Sequence, residues 1–342
     1  MTQPNFPPGI DAKVCVVIPM YRVAAQIGAV IRGLPDWIWR IVVVDDASPD
    51  DSAAQALAVG DPRVVLVRHE HNQGVGGAML TGFNTAAALG AQVMVKMDGD
   101  GQMRPEYLER MVTPILAGQA NYVKGNRFYH TRNITQMPLL RRLGNMALSF
   151  MTKMASGYWN VFDPTNGYLA LDRGIFQELD QERIHRRYFF ESSMLVELNL
   201  ARAVVTEVTM PAYYAGERSS LSLGRVLFEF PGLLLRGFLR RIWFQYFVLD
   251  FSVGSLLMVL GLLMTLFGAV WGGIWWRNSI VTGKTASTGT VMLAALPLIL
   301  GFELLLQALI FDVQNIPRNV VARFPRCPAG AAQETAGEKT DV

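Results

Sequence analysis

Cysteine is nearly missing from this chain: Cys15 and Cys327 are its two thiols in 342 residues. Cys15 lies in an apolar run and Cys327 in a polar tail. That pattern excludes a disulfide framework and a thiolate metal site, and it suits a reducing cytoplasm. Charge is scarce as well. Charged residues make up 17% of the chain, the net charge is +3, and the basic residues form no long block, so no nucleic acid partner is expected. Met1 to Lys13 contains no apolar stretch, so no signal peptide is expected. The glycines of Asn72-Gln73-Gly74-Val75-Gly76-Gly77 do not match the dinucleotide fingerprint, and no Walker-type Gly-Lys-Ser follows them. That segment reads as a tight turn that offers backbone amides at a helix start.

What the chain has in excess is apolar sequence near one end. Phe247 to Trp276 holds one charged residue, Asp250, and Gly289 to Phe311 holds one, Glu303. Each run exceeds the roughly 20 apolar residues that cross a bilayer core. Two transmembrane helices are expected, joined by the short polar link Arg277 to Thr288. Arg236, Arg240 and Arg241 before the first span, with Arg318, Arg323 and Arg326 after the second, outnumber Arg277 and Lys284 in the link. The positive-inside rule then places the large N-terminal part in the cytoplasm. A carboxylate inside a span is costly, so Glu303 is expected to pack against the other span or a neighbouring subunit. The soluble alternative is a pair of buried core helices.

Between Lys13 and about Ala120, short apolar runs alternate with helical patterns. Val14–Pro19, Ile41–Val44, Val64–Val67 and Val93–Met97 read as strands; Ala24–Gly33, Ser52–Val59, Gly77–Leu89 and Pro105–Leu116 read as helices. Strands apolar on both faces and separated by helices predict an α/β fold with a mostly parallel sheet. Ligands then bind beyond the carboxyl ends of the strands. Asp45 and Asp46 follow one such strand, while Asp98 and Asp100 follow another; these two strands are expected to be neighbours, so that their carboxylates make one acidic crevice.

Val-Met-Val-Lys-Met-Asp-Gly-Asp-Gly-Gln, residues 93 to 102, is the most telling stretch. Two carboxylates separated by one glycine and followed by Gln102 suit Mg²⁺ or Mn²⁺, which prefer oxygen ligands and complete their shell with substrate phosphates. The bland alternative is a polar turn. For Asp46 the alternatives are a cap before Ser48-Pro49-Asp50 or a hydrogen bond to a base or ribose.

Downstream, Gly125-Asn126-Arg127 follows a further strand, and Leu139–Met154 is helical with Arg141 and Arg142 near its start. Phe162-Asp163-Pro164-Thr165-Asn166-Gly167-Tyr168 turns into a strand, and Phe189-Phe190-Glu191 opens another helix. Leu221–Tyr246 mixes apolar residues with arginines on a helical period, as a helix in the membrane interface does. The expected segments are an N-terminal tail (1–12), an α/β domain (13–220), juxtamembrane helices (221–246), a transmembrane hairpin (247–311) and a cytoplasmic tail (312–342).

Val16-Val17-Ile18-Pro19-Met20-Tyr21, Val43-Val44-Asp45-Asp46-Ala47-Ser48-Pro49-Asp50 and Asp98-x-Asp100-x-Gln102 together resemble family 2 glycosyltransferases of the GT-A fold. Gly125-Asn126-Arg127, Arg141-Arg142 and Asp163-Pro164-Thr165-Asn166-Gly167-Tyr168, with two C-terminal spans, are similar to the polyprenol-phosphate glycosyltransferases. That group includes dolichol-phosphate mannosyltransferases and bacterial undecaprenyl-phosphate glucosyltransferases. The resemblance covers Lys13 to about Phe311. It implies nucleotide-sugar contacts at Pro19, Tyr21, Asp45, Asp46, Lys96, Asp98 and Gln102, and a divalent cation (Mg²⁺ or Mn²⁺) at Asp98, Asp100 and Gln102. It also implies acceptor-phosphate contacts at Arg127, Arg141 and Arg142, and catalytic roles for Asp163, Asp100 and Arg127. Glu191 is a second candidate acid, ranked below Asp163.

Two departures stand out. The family more often has Asp-Ala-Asp-Leu-Gln where this chain has Gly99 and Gly101, which should loosen the loop. The Gln-x-x-Arg-Trp signature of processive synthases is missing, which argues against a polymerase. The implied activity is inverting transfer of a hexose, UDP-glucose favoured, to undecaprenyl or another polyprenyl phosphate at the cytoplasmic face of the bacterial inner membrane. Implied partners are membrane lipid, a downstream flippase and glycosyltransferase, and a second copy in a homo-oligomer. Rival readings are transfer to another lipid or a glycan, and a non-catalytic scaffold that binds nucleotide sugar.

Overall fold

A computed structural model describes residues 12–127, 139–211 and 223–321. Among these, seven strands form one sheet in the order β3-β2-β1-β4-β6-β5-β7. The strands are β1 (Val14–Met20), β2 (Arg40–Asp45), β3 (Val64–Arg68), β4 (Val93–Lys96), β5 (Tyr122–Asn126), β6 (Leu169–Asp172) and β7 (Val205–Thr209). β6 runs antiparallel to both β4 and β5; every other pairing is parallel. The mostly parallel α/β architecture expected from the alternation is therefore present.

The helices between strands are α1 (Ile27–Arg32), α2 (Ser52–Ala58), α3 (Val75–Leu89), α4 (Leu108–Leu116), α5 (Leu139–Ser156), α6 (Arg173–Glu178) and α7 (Phe190–Leu200). They cover both faces of the sheet, because β1 alternates its side chains between two cores. Val14, Val16 and Ile18 join one core with Ile31 and Met111, while Cys15 and Val17 join the other with Phe83 and Phe176. Full burial of each such side chain contributes roughly 1.5–3 kcal/mol, which is why these strands read as unbroken apolar runs. Burial pushes the Cys15 thiol up to about 12, so it carries no reactive thiolate.

One expectation is corrected here. β2 and β4 are not neighbours: β1 lies between them, and the connections wind outward from β1 in both directions. Asp45 and Asp98 thus flank the end of β1, where the strand order reverses and a crevice opens.

α8 (Leu223–Trp243) leads through a π-helical turn at Phe244–Leu249 into α9 (Val253–Thr282), and α10 (Thr288–Gln314) returns antiparallel to it. Both α9 and α10 are long and apolar enough to cross a membrane. Their large apolar side chains face outward, Leu263 at 58% and Phe302 at 67% exposure, which excludes buried core helices. The hairpin closes tightly, with Gly261 and Gly268 of α9 against Gly301, Ala294 and Leu298 of α10. Glu303 does not pack against the other span. It is exposed and accepts a hydrogen bond from Gln307 Nε2 at 3.2 Å.

Candidate active site

The crevice at the carboxyl ends of β1, β2 and β4 gathers most of the residues singled out above. β1 ends in Pro19-Met20 with Tyr21 directly after it, and the Arg22 guanidinium lies 5.3 Å from the centre of the half-exposed Tyr21 ring. At the end of β2, Asp45 Oδ1 accepts from Ser48 N at 3.0 Å. Asp50, two residues beyond Ser48, is held at about 2. Burial works against its charge, but the Ser48 and Ser52 hydroxyls and the backbone N–H groups of Ala24 and Ser52 outweigh it.

Asp46 is committed inward. Its Oδ1 meets His69 Nδ1 at 2.7 Å and accepts from Gln73 N at 2.8 Å, while Oδ2 accepts from Gly74 N at 2.8 Å. It is buried and folds the Asn72–Gly77 turn onto the sheet. Gly77 N donates in turn to Arg186 O at 2.8 Å. The amides of that turn which the sequence offered to a ligand are thus used within the protein at Gln73, Gly74 and Gly77.

The Asp-Gly-Asp loop leaves β4 directly. Asp98 is partly exposed and Asp100 Oδ1 accepts from Gln102 N at 2.9 Å, so the turn fixes Asp100 relative to Gln102. Gly99 does not loosen this loop: it is buried, and a Cβ there would stand 3.2 Å from Val23 and 3.4 Å from Ile18. Gly101, at φ +78°, takes the left-handed turn. Among the described residues no three His, Cys, Asp or Glu side chains converge as a metal cage. Two carboxylates and an amide oxygen are the donor set of a hard cation that takes its remaining oxygens from a substrate.

Lys96 lies beneath this loop, almost fully buried, with Nζ 2.7 Å from Asp98 Oδ1 and 3.7 Å from Glu191 Oε1. Burial opposes its charge, yet Asp98, Glu191 and Asp100 outweigh burial and raise its pKa above 10.5. Glu191, in the first turn of α7, is thereby drawn to the same cation as Asp98. Gly167 packs over the pair; a Cβ there would stand 2.5 Å from Lys96 Nζ.

On the far side of the sheet order, Arg127 follows β5 and grips Asp163. Nε donates to Oδ2 at 2.8 Å, Nη2 to Oδ1 at 3.0 Å, and the Arg127 backbone N–H to Oδ2 at 3.1 Å. Asp163 is 0% exposed, while the Arg127 side chain is 33% exposed. A bidentate charge-assisted pair of this kind fixes the guanidinium plane. Arg141 and Arg142 belong to the first turn of α5 by backbone; their side chains, like Cys327, Arg323 and Arg326, lie outside the described residues.

Two residues that matter here escaped the sequence reading. Glu207 of β7 cradles the Asp163 turn: Oε1 accepts from Phe162 N at 2.7 Å and Asp163 N at 3.0 Å, and Oε2 from Asn126 Nδ2 at 2.7 Å. Burial raises its pKa. Lys124 of β5 is fully buried and donates to Asn166 O at 2.7 Å. It sits in the same row as Lys96, both opposite Leu169 of β6. The signal available was a lysine inside an apolar strand, in Val-Met-Val-Lys and in Tyr-Val-Lys alike.

Burial lowers the Lys124 pKa from 10.5 to about 8, against the opposing pull of Glu191 and Asp163. Below pH 8 both folded and unfolded chains bind this proton, and the folded chain bears the cost. Between pH 8 and 10.5 the unfolded chain alone holds it, so this residue's contribution to stability rises with pH. Lys124→Met is therefore expected to raise thermal stability at pH 7 by up to about 3 kcal/mol, with the gain shrinking toward pH 10. Activity should fall, because the Asn166 turn loses its anchor. Thermal unfolding at the two pH values checks this, and an equal gain at both would refute it.

The arrangement is a crevice of alternating carboxylates and cations, open at the end of β1. A model of the family described as "Glycosyl transferase family 2" matches residues 15–180. An undecaprenyl-phosphate mannosyltransferase of Micrococcus luteus is 30% identical over 187 residues, spanning 53% of this chain and 76% of that protein. The chain belongs to glycosyl transferase family 2. A UDP-N-acetylglucosamine–dolichyl-phosphate N-acetylglucosaminyltransferase of Methanococcus voltae is 29% identical, across 60% of this chain and 87% of its own length. Among solved structures, glucosyl-3-phosphoglycerate synthase of Mycobacterium tuberculosis, in complex with Mn²⁺ and UDP-glucose, shares the fold. Its TM-score is 0.51 at 23% identity, covering 66% of this chain and 79% of the synthase. This glycosyltransferase thus has the GT-A architecture that the motifs implied, followed by two helices that suit a membrane.

Proposed function

We propose that this glycosyltransferase moves a hexose, with UDP-glucose the favoured donor, onto a polyprenyl phosphate at the cytoplasmic face of the bacterial inner membrane. What carries the reading is the acceptor that the Micrococcus and Methanococcus relatives share. The Micrococcus and Methanococcus enzymes differ in sugar, mannose against N-acetylglucosamine, but both are named for a polyprenyl phosphate at the receiving end. A chain with two apolar spans beside its catalytic crevice has a physical reason to use such an acceptor.

In this reading Pro19, Tyr21, Asp45 and Lys96 line the donor side, while Asp46 acts through the turn it folds. Asp98, Asp100 and Gln102 would hold a divalent cation, which supplies positive charge to the departing diphosphate; the synthase of shared fold was crystallised with Mn²⁺ and UDP-glucose. Arg127, oriented by Asp163, and Arg141 with Arg142 at the start of α5 receive the acceptor phosphate. A phosphate monoester is largely dianionic near neutral pH, its second pKa being about 6, so it needs placing beside the anionic donor more than it needs a base. Guanidinium suits that task because it binds phosphate oxygens in pairs. Attack on the sugar carbon opposite the departing diphosphate inverts that carbon.

Incubating proteoliposomes with undecaprenyl phosphate and labelled UDP-glucose, GDP-mannose or UDP-N-acetylglucosamine tests the reading. Label is expected in the lipid fraction, most with UDP-glucose. Label in a glycan or in water-soluble product alone would refute the acceptor, and a better rate with another donor would replace the sugar. For orientation, a cysteine introduced at Lys284 should react with an impermeant reagent added to intact cells, whereas one introduced at exposed Leu57 should not. The reverse pattern would invert the topology.

A further inference from the structure

The membrane hairpin meets the globular part of the chain at a buried polar knot. Arg241, near the end of α8, is 0% exposed, and Asp312, in the last turn of α10, is 4% exposed. The guanidinium donates to both carboxylate oxygens, Nη1 to Oδ1 at 2.6 Å and Nη2 to Oδ2 at 3.0 Å. It also reaches the end of α5, with Nε donating to Ala155 O at 3.1 Å and Nη2 to Met154 O at 2.9 Å. Those are carbonyls that a helix leaves unpaired at its C-terminus. Gly157, at φ +75°, ends α5 and leaves room for the cap: a Cβ there would stand 2.8 Å from Arg241 Nη1. Asp312 accepts twice more, from the Tyr246 hydroxyl at 2.8 Å and from the Trp159 indole N–H at 3.2 Å.

A buried ion pair is a poor way to gain stability, because apolar side chains of the same volume often serve as well. What a fully satisfied network adds is direction. Here the direction links the cytoplasmic end of a span to the two elements that carry the acceptor side of the crevice. One is α5, whose first turn includes Arg141 and Arg142. The other is the strap from Gly157 to Asp163, held along its length by Asn160 Nδ2 on Val205 O at 3.0 Å and by Glu207 on the Phe162 and Asp163 amides. Trp159, whose indole meets Asp312, lies four residues before Asp163 on that strap.

We infer that Arg241 and Asp312 are positioning residues, which fix the tilt of the hairpin against α5 and the strap and so set the height of the Arg127–Asp163 pair above the bilayer. This rests on the polyprenyl-phosphate reading. A lipid phosphate cannot leave the headgroup layer without dragging its chain into water, so the crevice must come to it at one height. A short prenyl phosphate that diffuses freely makes no such demand.

The test compares undecaprenyl phosphate in proteoliposomes with water-soluble geranyl phosphate, using the full-length protein and the best donor. Arg241→Met combined with Asp312→Leu removes the pair without leaving a buried charge unpaired. Its kcat/KM for undecaprenyl phosphate is expected to fall about tenfold or more, while that for geranyl phosphate and the donor Kd change by about twofold at most. Trp159→Phe keeps the ring packing and removes one bond to Asp312, and it should move the same ratio in the same direction by about two- to threefold. If the double variant fails to bind donor, Trp159→Phe alone decides. Equal losses on both acceptors, or no loss on undecaprenyl phosphate, would overturn the inference. Wild-type protein inactive toward both prenyl phosphates would instead overturn the acceptor reading and this inference with it.

Discussion

Asp100→Ala and Asp98→Ala are each expected to lower turnover by about three orders of magnitude, equivalent to ~4 kcal/mol of lost charge stabilisation. In the proposed reaction the diphosphate that leaves the sugar would carry its charge into a crevice already holding Asp45, Asp98, Asp100 and Glu191, where Lys96 pairs with Asp98 and Glu191 from beneath. A carboxylate pair in that position is a liability for an anionic substrate unless a cation joins it. The two variants should separate on stability. Asp98→Ala removes the carboxylate 2.7 Å from a buried lysine, so its melting temperature should fall further than that of Asp100→Ala. EDTA should reproduce the loss of turnover in the wild type, with Mg²⁺ or Mn²⁺ restoring it. Full activity of Asp100→Ala in EDTA would sink the metal assignment.

How much of this was legible follows from the range over which each feature is determined. The Asp-Gly-Asp-Gly-Gln loop announces itself because strand, turn and carboxylates are contiguous, and the structure builds that loop at the end of β4. The outward-facing apolar helices were equally plain, since length and composition decide them. Strand order was not. Sequence order put the Asp45 and Asp98 strands side by side, whereas the sheet inserts β1 between them, because pairing is settled by how helices cover both faces. Nor did the sequence show that β6 would enter antiparallel, placing Lys96 and Lys124 in one row.

Side chains serving distant backbone were the hardest to see. Asp46 reads as a ligand contact or a cap, yet it folds a turn 27 and 28 residues away. Glu207, in Val-Thr-Glu-Val-Thr, has the look of a solvent-facing strand residue but holds the Asp163 turn 44 residues upstream. Asp312 and Arg241 were read separately, one at the start of a tail and one as a positive-inside charge. Their pairing across 71 residues exists only after the hairpin forms.

Asp163 offers the second large effect, and its environment makes the expected pattern specific. The carboxylate is fully buried and takes three N–H donors from Arg127, so it has neither solvent access nor an idle oxygen facing the crevice. Acting as a base is then the less natural role, and orienting Arg127 the more natural one. Asp163→Ala should lower kcat/KM for the acceptor by about 10²- to 10³-fold, since charge-assisted hydrogen bonds contribute ~1.5–3 kcal/mol each. Asp163→Asn retains an oxygen for Arg127 and should lose only about 10-fold by the same scale. The pH-rate profile of both variants should still follow the acceptor's ionisation near 6. A double-mutant cycle decides between the roles. If Asp163 works through Arg127, then Arg127→Ala with Asp163→Ala should be hardly worse than Arg127→Ala alone, because the second change removes a support whose load is already gone. A base acting directly on the acceptor would multiply its own loss onto that of Arg127, and Asp163→Asn would be as inactive as Asp163→Ala despite normal binding of both substrates. That outcome would return the proton to the mechanism and require that the acceptor phosphate reach the crevice as its monoanion.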